Sequence, residues 1–258
     1  MYELTAGEIR DNLREVRAKI AQACARSGRD AEAVTLCAVS KLKPSADIRA
    51  AMEAGQFLFG ENYVQELRDK HAELGDACRW HMIGHLQRNK VKYLIGTVEM
   101  IESVDSFELA RQIEKEAGKR ERTLTEQADS RVPEGQTRVV PGFRMDILLE
   151  VNIAGEESKW GFRPEETLAA AREIAAMEHL RIRGLMTSAP YTEDPETNRG
   201  YFRALKALFD ELAAAGLPNA QIDTLSMGMT GDYVVAVEEG ATLIRVGTGI
   251  FGRRDYSK

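Results

Sequence analysis

The chain has 258 residues, of which 43% are hydrophobic, and it carries a formal net charge of −6. This composition is typical of a soluble globular protein, and the length suits two small domains or one large α/β barrel. The acidic balance argues against a nucleic-acid surface, and no apolar run approaches the roughly twenty residues of a membrane span. The charged amino-terminal segment lacks the apolar core of a signal peptide and the three cysteines show no paired spacing, so we expect a reduced, cytoplasmic protein.

Strand and helix signals alternate along almost the whole chain. After an extra amino-terminal helix over 5–27, strands are predicted at 34–39, 56–59, 79–83, 99–102, 145–152, 181–186, 222–225 and 243–246. Amphipathic helices are predicted between them, at 44–54, 61–74, 106–117, 164–177 and 197–215. This pattern favours a closed parallel (β/α)8 TIM barrel, an α/β fold, although an open doubly wound sheet would give the same local signals. The polar stretch 118–142 predicts a flexible loop inserted in a single domain over 1–258.

Lys41 follows the first strand after one residue, Ser40. The sequence of that strand, VTLCAV, predicts burial on both faces. Burial disfavours the charged form of an amine, and a lysine perturbed in this way can attack a carbonyl and hold it as a Schiff base. The alternative is a lysine that keeps its ammonium group in water at the strand end. Lys43 would share the face of Lys41 if the strand continued, but Pro44 indicates that the chain is already turning.

Polar residues recur at the carboxyl ends of most predicted strands, which is the working face of a parallel barrel. In chain order they are Lys41, Gly60, Glu61, Asn62, Gly84, His85, Gln87, Lys159, Ser188, Ser226, Gly228, Gly247 and Thr248. The last two clusters, in LSMGMTGDY and RVGTG, predict a phosphate cradle. Glycine lets backbone N–H groups approach an anion, and the hydroxyl groups of Ser226 and Thr248 can add hydrogen bonds. The alternative is a pair of ordinary tight turns.

Arg245 lies within the apolar strand ATLIRVG, so we expect a buried guanidinium group that needs a partner. Either its head faces the barrel mouth, or it forms a structural salt bridge with a carboxylate such as Glu150. His81 and His85 do not form a helical ligand pair and no third ligand is evident, so no metal is predicted. A lysine for an aldehyde, a cradle for phosphate and a deep arginine together indicate pyridoxal 5′-phosphate (PLP).

The chain resembles the YggS/PROSC family of pyridoxal phosphate homeostasis proteins along nearly its whole length. The matching segments are AVSKLKP (38–44), FGENYVQE (59–66), WHMIGHLQRNK (80–90), RGLM (183–186), LSMGM (225–229) and IRVGTGIFG (244–252). The resemblance implies a fold type III barrel like the amino-terminal domain of alanine racemase. It also implies that Lys41 carries PLP as a Schiff base and that Arg245 faces the pyridine nitrogen. The other implied cofactor contacts are Asn62 and Met186 near the ring, and Ser226, Gly228, Gly247 and Thr248 at the phosphate.

An arginine at the ring nitrogen donates a hydrogen bond without giving up its proton, so the ring would be a weak electron sink. Racemases with this arrangement use an opposing acid or base from a second domain, and this chain ends shortly after the eighth strand. We therefore expect a monomeric PLP carrier that buffers the cofactor or delivers it to PLP-dependent apo-enzymes, rather than an enzyme. One alternative is a minimal amino-acid racemase that uses Lys41 with Tyr191 or His85. Another is a barrel enzyme whose Lys41 condenses with a phosphorylated metabolite. In the carrier, Lys159, which follows the fifth strand on the same barrel face, is a candidate second acceptor for the PLP aldehyde during transfer, although a solvated surface charge is the default interpretation.

Overall fold

The computed structural model describes residues 4–129, 142–157 and 159–253. Its strands are β1 (Thr35–Val39), β2 (Leu58–Glu61), β3 (Arg79–Met82), β4 (Met100–Val104), β5 (Met145–Glu150), β6 (Leu180–Met186), β7 (Ala220–Ser226) and β8 (Leu243–Val246). Each strand pairs in parallel with the next in chain order, and β1 pairs with β8. This pairing closes the sheet, which excludes the open doubly wound alternative and confirms the predicted TIM barrel.

Helices surround the barrel and cover the outer face of its strands. They are α1 (Ala6–Arg26), α2 (Ser45–Glu53), α3 (Val64–Leu74), α4 (Phe107–Asp129), α5 (Pro164–Ile174), α6 (Arg199–Ala214), α7 (Tyr233–Glu238) and α8 (Thr248–Phe251). A 3-10 helix over Arg88–Tyr93 takes the helical position between β3 and β4. Within the described residues, none of the helices combines the length and apolarity that a bilayer crossing requires.

The predicted amino-terminal helix forms with well-defined ends. Thr5 and Glu8 make a capping box, in which each side chain accepts a hydrogen bond from the other residue's backbone N–H. Gly28 follows the last turn with a φ of 66°, a conformation that glycine adopts without the penalty of a Cβ atom. The buried face of α1 packs against α2, α7 and α8. An extra helix therefore covers the seam between the first and last strands.

The barrel interior contains a polar network rather than a purely apolar core. Glu102 on β4 accepts a hydrogen bond from Ser226 on β7 and lies 3.8 Å from Arg245 on β8. Because β4 and β8 stand on opposite sides of an eight-stranded barrel, these contacts must cross the interior. The main hydrophobic core lies instead between the strands and the helices, and only small apolar clusters lie apart from it.

The predicted loop over 118–142 is wrong for its first half. Residues 118–129 continue α4, while residues 130–141 lie outside the described part of the chain. The sequence GKRERTLTEQAD has few apolar residues, but most of its residues are good helix formers. Glu121 also holds this extension to the barrel, because its Oε2 lies 2.8 Å from Nε2 of His179, the residue just before β6. The prediction fails here because a polar helix with few buried contacts lacks the apolar periodicity that identifies a helix in a sequence.

The second strand also differs from its prediction, because it covers Leu58–Glu61 rather than 56–59. The predicted bounds place Gly60 just after the strand, whereas it lies within it. A Cβ at Gly60 would lie 2.8 Å from Cys37 Sγ, so the glycine permits close packing instead of ending the strand. Glu61, which was predicted at the start of the following helix, is consequently a fully buried strand residue.

Candidate functional site

Lys41 lies in a tight turn directly after β1. The turn is closed by the N–H of Lys43, which donates to the carbonyl oxygen of Ser40 at 3.0 Å. Leu42 has a φ of 60°, in the left-handed region that residues other than glycine rarely adopt. Lys41 lines the cavity described below, whereas Lys43 Nζ donates to two backbone carbonyl oxygens in and after α8. The two lysines therefore diverge, as the sequence predicted.

A cavity of about 480 Å³ opens at the carboxyl ends of the strands. Small-molecule sites generally have volumes of roughly 300–1,000 Å³. Of the predicted cofactor-binding residues, five line this cavity: Lys41, Asn62, Arg245, Gly247 and Thr248. The structure therefore brings an amine, a guanidinium group and the second half of the predicted phosphate cradle together.

The three other predicted contacts, Met186, Ser226 and Gly228, lie outside this lining. Met186 packs in a buried cluster with side chains of β4 and β5. The hydroxyl of Ser226 donates to a carboxylate in the barrel interior. Gly228 has a φ of 92°, and a Cβ there would lie 2.5 Å from the Cβ of Ala236 on α7. These three residues shape the surroundings of the cavity, and their contact with a cofactor stays a prediction.

Thr230, in the loop after β7, is a cavity residue that the sequence analysis missed. Its Oγ1 accepts hydrogen bonds from the N–H groups of Gly247 and Gly249, both at 3.2 Å. Two backbone donors thus converge on one hydroxyl oxygen, and they would suit an anion if the hydroxyl gave way to it. The signal was present in LSMGMTG, where a second hydroxyl residue follows the glycine.

Arg245 is only 4% exposed although it lines the cavity. Its NH1 donates to Ser226 Oγ, and its NH2 donates to the carbonyl oxygen of Thr187 at 2.7 Å. Among the described residues, the ion-pair partner is Glu102, at 3.8 Å. The suggested partner Glu150 is therefore wrong, because Glu102 is the carboxylate that projects across the interior towards β8.

Glu102 links this arginine to a histidine on the far side of the barrel. Its Oε1 lies 2.6 Å from His81 Nδ1, and its Oε2 accepts from Ser226 Oγ at 2.6 Å. Burial acts to raise the pKa of Glu102, but the hydrogen bond and charge of His81, the charge of Arg245 and the Ser226 hydrogen bond outweigh it. The pKa therefore lies below its ordinary value. A continuous polar chain thus supplies Arg245 with a compensating negative charge.

The same region brings three potential metal ligands together, and this group differs from the pair of His81 and His85 that the sequence analysis rejects as a metal site. Ligand atoms of Cys37, His81 and Glu102 lie within 4.8 Å of one another in the interior. Both oxygens of Glu102 already accept hydrogen bonds, and Arg245 would repel a cation. Burial raises the pKa of the Cys37 thiol well above its usual range, whereas metals bind the thiolate. The cluster is better explained as part of the network that holds Arg245.

His85 and Lys159 lie at a different cavity, of about 530 Å³, rather than at the Lys41 cavity. The ring of His85 stacks on Trp160 with centroids 4.0 Å apart. Lys159 pairs with Glu156 at 3.7 Å. Tyr191, in contrast, lines the Lys41 cavity and is 92% exposed. Of the two residues considered as a second base for a racemase, only Tyr191 is therefore placed at the site.

Comparison with known proteins identifies the family. Residues 6–255 match the family model "Alanine racemase, N-terminal domain". A relative from Aquifex aeolicus is 40% identical over 247 residues, covering 95% of this chain and 98% of its own, and one from Pasteurella multocida is 38% identical, covering 97% and 99%. Both are named pyridoxal phosphate homeostasis protein.

Solved structures give the same result. PipY of Synechococcus elongatus, determined with PLP bound, is 32% identical with a TM-score of 0.75, covering 95% of this chain and 100% of PipY. Alanine racemase of Clostridium difficile is 16% identical with a TM-score of 0.69, and the match covers 96% of this chain but 61% of the racemase. The racemase shares the fold alone. The chain belongs to the alanine racemase amino-terminal domain family and, within it, to the pyridoxal phosphate homeostasis proteins.

Proposed function

We propose that this protein binds PLP reversibly as a Schiff base on Lys41 and acts in PLP homeostasis by buffering or delivering the cofactor. The observation that carries the proposal is the convergence of Lys41, Arg245 and the glycine cradle in one cavity. The name of the curated relatives and the PLP-bound structure of PipY support it independently.

The cavity fits the chemical groups of PLP. Lys41 offers an amine for the aldehyde and Arg245 offers a donor for the ring nitrogen. The N–H groups of Gly247 and Gly249, which donate to Thr230 Oγ1, would become donors for the phosphate if that hydroxyl rotated away. A Cβ at Gly249 would lie 3.1 Å from Val246 Cγ1 and 3.2 Å from Thr230 Cγ2, so the glycine permits the close approach of Thr230 to this turn. Thr230 and Thr248 would add hydroxyl groups to this cradle. The donor set thus matches each end of the cofactor.

When bound, PLP supplies an aldehyde that condenses with amines and a ring that withdraws electrons if its nitrogen is protonated. Lys41 Nζ would be the amine that attacks the aldehyde carbon, with the aldehyde oxygen lost as water, so that water alone would release the cofactor. Arg245 would donate a hydrogen bond at the ring nitrogen while keeping its own proton. The carboxylate of Glu102, 3.8 Å from Arg245 NH1, pairs with the guanidinium group. These residues favour holding the cofactor over activating it.

A carrier role also agrees with the residues around Lys41. A two-base racemase needs a positioned acid or base opposite the lysine. Of the two residues considered above for that role, Tyr191 lines the cavity, and at 92% exposure it is largely surrounded by solvent. The carboxylate of Asp232 also lines the cavity, but it accepts hydrogen bonds from the Asn198 side chain and from the N–H of Met229. Matches cover 98% of the Aquifex homeostasis protein but 61% of the racemase, so the shared part of the racemase is its barrel. We propose that the protein is a carrier, with the minimal racemase as the alternative.

A spectroscopic titration tests the proposal. Adding PLP to the purified protein should produce the absorbance band of a Schiff base, and borohydride reduction should fix one cofactor mass on Lys41. The Lys41→Ala variant should lack both signals, whereas Lys43→Ala and Lys159→Ala should keep them. A full-strength band in Lys41→Ala, when neither of the other lysines accounts for it, would refute the assignment. Racemisation of a free amino acid that Tyr191→Phe abolishes would favour the racemase.

We further propose that the whole chain, 1–258, forms one PLP-binding domain that acts as a monomer and supplies PLP-dependent apo-enzymes. Light scattering coupled to size-exclusion chromatography tests the monomer. Transfer is tested by mixing the PLP-loaded protein with an apo-enzyme and following the activity that returns. A rate equal to that of free PLP at the same concentration would argue against direct delivery.

A further inference from the structure

A buried charge cluster lies directly behind the Lys41 turn. It consists of Glu61 on β2 with Glu66 and Lys70 on α3. Lys70 Nζ donates to an oxygen of each carboxylate, both at 2.7 Å. The side chain of Lys70 is 7% exposed and that of Glu61 is fully buried. Because desolvation offsets most of the attraction within a buried ion pair, such a cluster is weak evidence for stability and needs another explanation.

The cluster binds the backbone on both sides of Lys41. Lys70 Nζ also donates to the carbonyl oxygen of Ser40 at 2.7 Å. On the other side, the N–H of Leu42 donates to Glu66 Oε1 at 2.6 Å. Since Glu66 Oε1 also accepts from Lys70, one connected set of hydrogen bonds holds the residues before and after Lys41. The Ser40 hydroxyl, which donates to Glu61 Oε1 at 2.6 Å, ties the turn to β2 as well.

The conformation of the turn requires such support. Leu42 adopts a φ of 60°, where the Cβ of a non-glycine residue is strained. Its side chain is 39% exposed, so its packing alone does not account for this conformation. The hydrogen bonds to the adjacent peptide groups therefore stabilise this conformation of Leu42. If they were lost, Leu42 could relax to a negative φ, which would rotate the peptide that joins it to Lys41.

We propose that Glu66 and Lys70 are positioning residues that fix the Lys41 turn and so set how readily the Lys41 amine condenses with an aldehyde. The inference rests on the proposed function, in which Lys41 is the acceptor. Neither residue lines the cavity, so both act through the peptide groups that flank the lysine. The cluster therefore affects the covalent bond to the ligand rather than the noncovalent contacts with its ring and phosphate.

Two ligands separate these contributions. PLP can condense with an amine, whereas pyridoxine 5′-phosphate has an alcohol in place of the aldehyde and tests the ring and phosphate contacts alone. We would measure the affinity of both by calorimetry in Glu66→Ala and Lys70→Met. The matched control is Glu73→Ala, the same substitution on the same helix, where the carboxylate instead contacts Ser45 and Arg49. Urea unfolding of each variant would check that the fold is intact.

We expect Glu66→Ala and Lys70→Met to weaken PLP binding by about tenfold or more, since each loses hydrogen bonds that involve a charged group. Pyridoxine 5′-phosphate should bind all variants within about twofold of the wild type, and Glu73→Ala should match the wild type for both ligands. Equal weakening of both ligands, or no weakening of PLP, would overturn the positioning role. Should Lys70→Met fail to fold, Glu66→Ala decides, because Glu66 is 20% exposed and tolerates truncation better. Wild-type protein that binds both ligands without a Schiff-base band would refute the proposed function instead.

Discussion

Replacing Glu102 with glutamine tests whether charge holds the network beneath the cavity. The substitution keeps the shape of the side chain but removes the negative charge shared by His81 and Ser226, each at 2.6 Å. Arg245, which is 4% exposed, would then be a buried cation without its carboxylate at 3.8 Å. The variant therefore isolates the electrostatic part of the network from its packing.

The expected loss is a large fraction of the unfolding free energy of a typical domain, which is about 5–15 kcal/mol. Breaking a buried ion pair by removing one partner costs about 3–5 kcal/mol, and we expect about 3 kcal/mol at pH 7 because glutamine keeps one acceptor oxygen. The pKa of Glu102 is lowered in the folded state. The stability that its negative charge contributes is therefore fully present above the pKa of the unfolded state, which is about 4.3. The contribution is lost as pH falls through the folded value. The difference between the two proteins should therefore shrink in acid.

Urea unfolding, followed by the fluorescence of the buried Trp80, measures this difference at several pH values. The matched control is Glu99→Gln, because Glu99 is 48% exposed and its carboxylate lies 3.6 Å from Arg79 and 4.0 Å from the other ring nitrogen of His81, outside the barrel interior. Exposed pairs contribute little, so the control should change the unfolding free energy by less than about 1 kcal/mol. If Glu102→Gln costs no more than Glu99→Gln at pH 7, or its cost does not shrink in acid, the electrostatic explanation is wrong.

Three further predictions concern pH and packing. Burial, with the charge of Asp105, raises the pKa of Glu150 to about 7, so its stabilising contribution is lost as pH rises towards and through that value. As the pH rises from about 5 to about 8, the unfolding free energy of Glu150→Gln should therefore rise by up to about 3 kcal/mol relative to the wild type. Urea unfolding measures this, and a free-energy difference that does not change with pH would contradict it. A Cβ at Gly84 would lie 2.7 Å from the Cα of Asn62, a cavity residue. Gly84→Ala should therefore cost about 2 kcal/mol in thermal unfolding, and a cost near zero would show that the loop yields easily. Hydrogen bonds to Glu114 and Glu121 raise the pKa of His179, so its contribution is present at acidic pH and is lost as pH rises through the folded value. His179→Gln should cost about 1 kcal/mol more at about pH 6 than at about pH 9, and equal costs would exclude a charged bridge.

Local patterns were sufficient for the barrel and for part of the site. Apolar runs alternating with amphipathic segments predict parallel strands and helices because both periodicities are properties of short stretches of chain. The same reasoning placed Lys41 and Gly247 at strand ends, where they line the cavity. It failed where a segment needed little apolar burial, as in the helical residues 118–129, and at Gly60, which was placed just after its strand rather than within it.

The sequence by itself determined the fold class, the face of the barrel that carries the polar residues, and the divergence of Lys41 from Lys43. Only the tertiary structure decided which polar side chains meet across the interior. Glu102 meets Ser226 and Arg245, although 124 residues separate Glu102 from Ser226. Lys70, on helix α3, similarly contacts the turn after β1 that carries Lys41. Such pairings depend on the register of the strands and on the closure of the barrel, and no local pattern of residues encodes either.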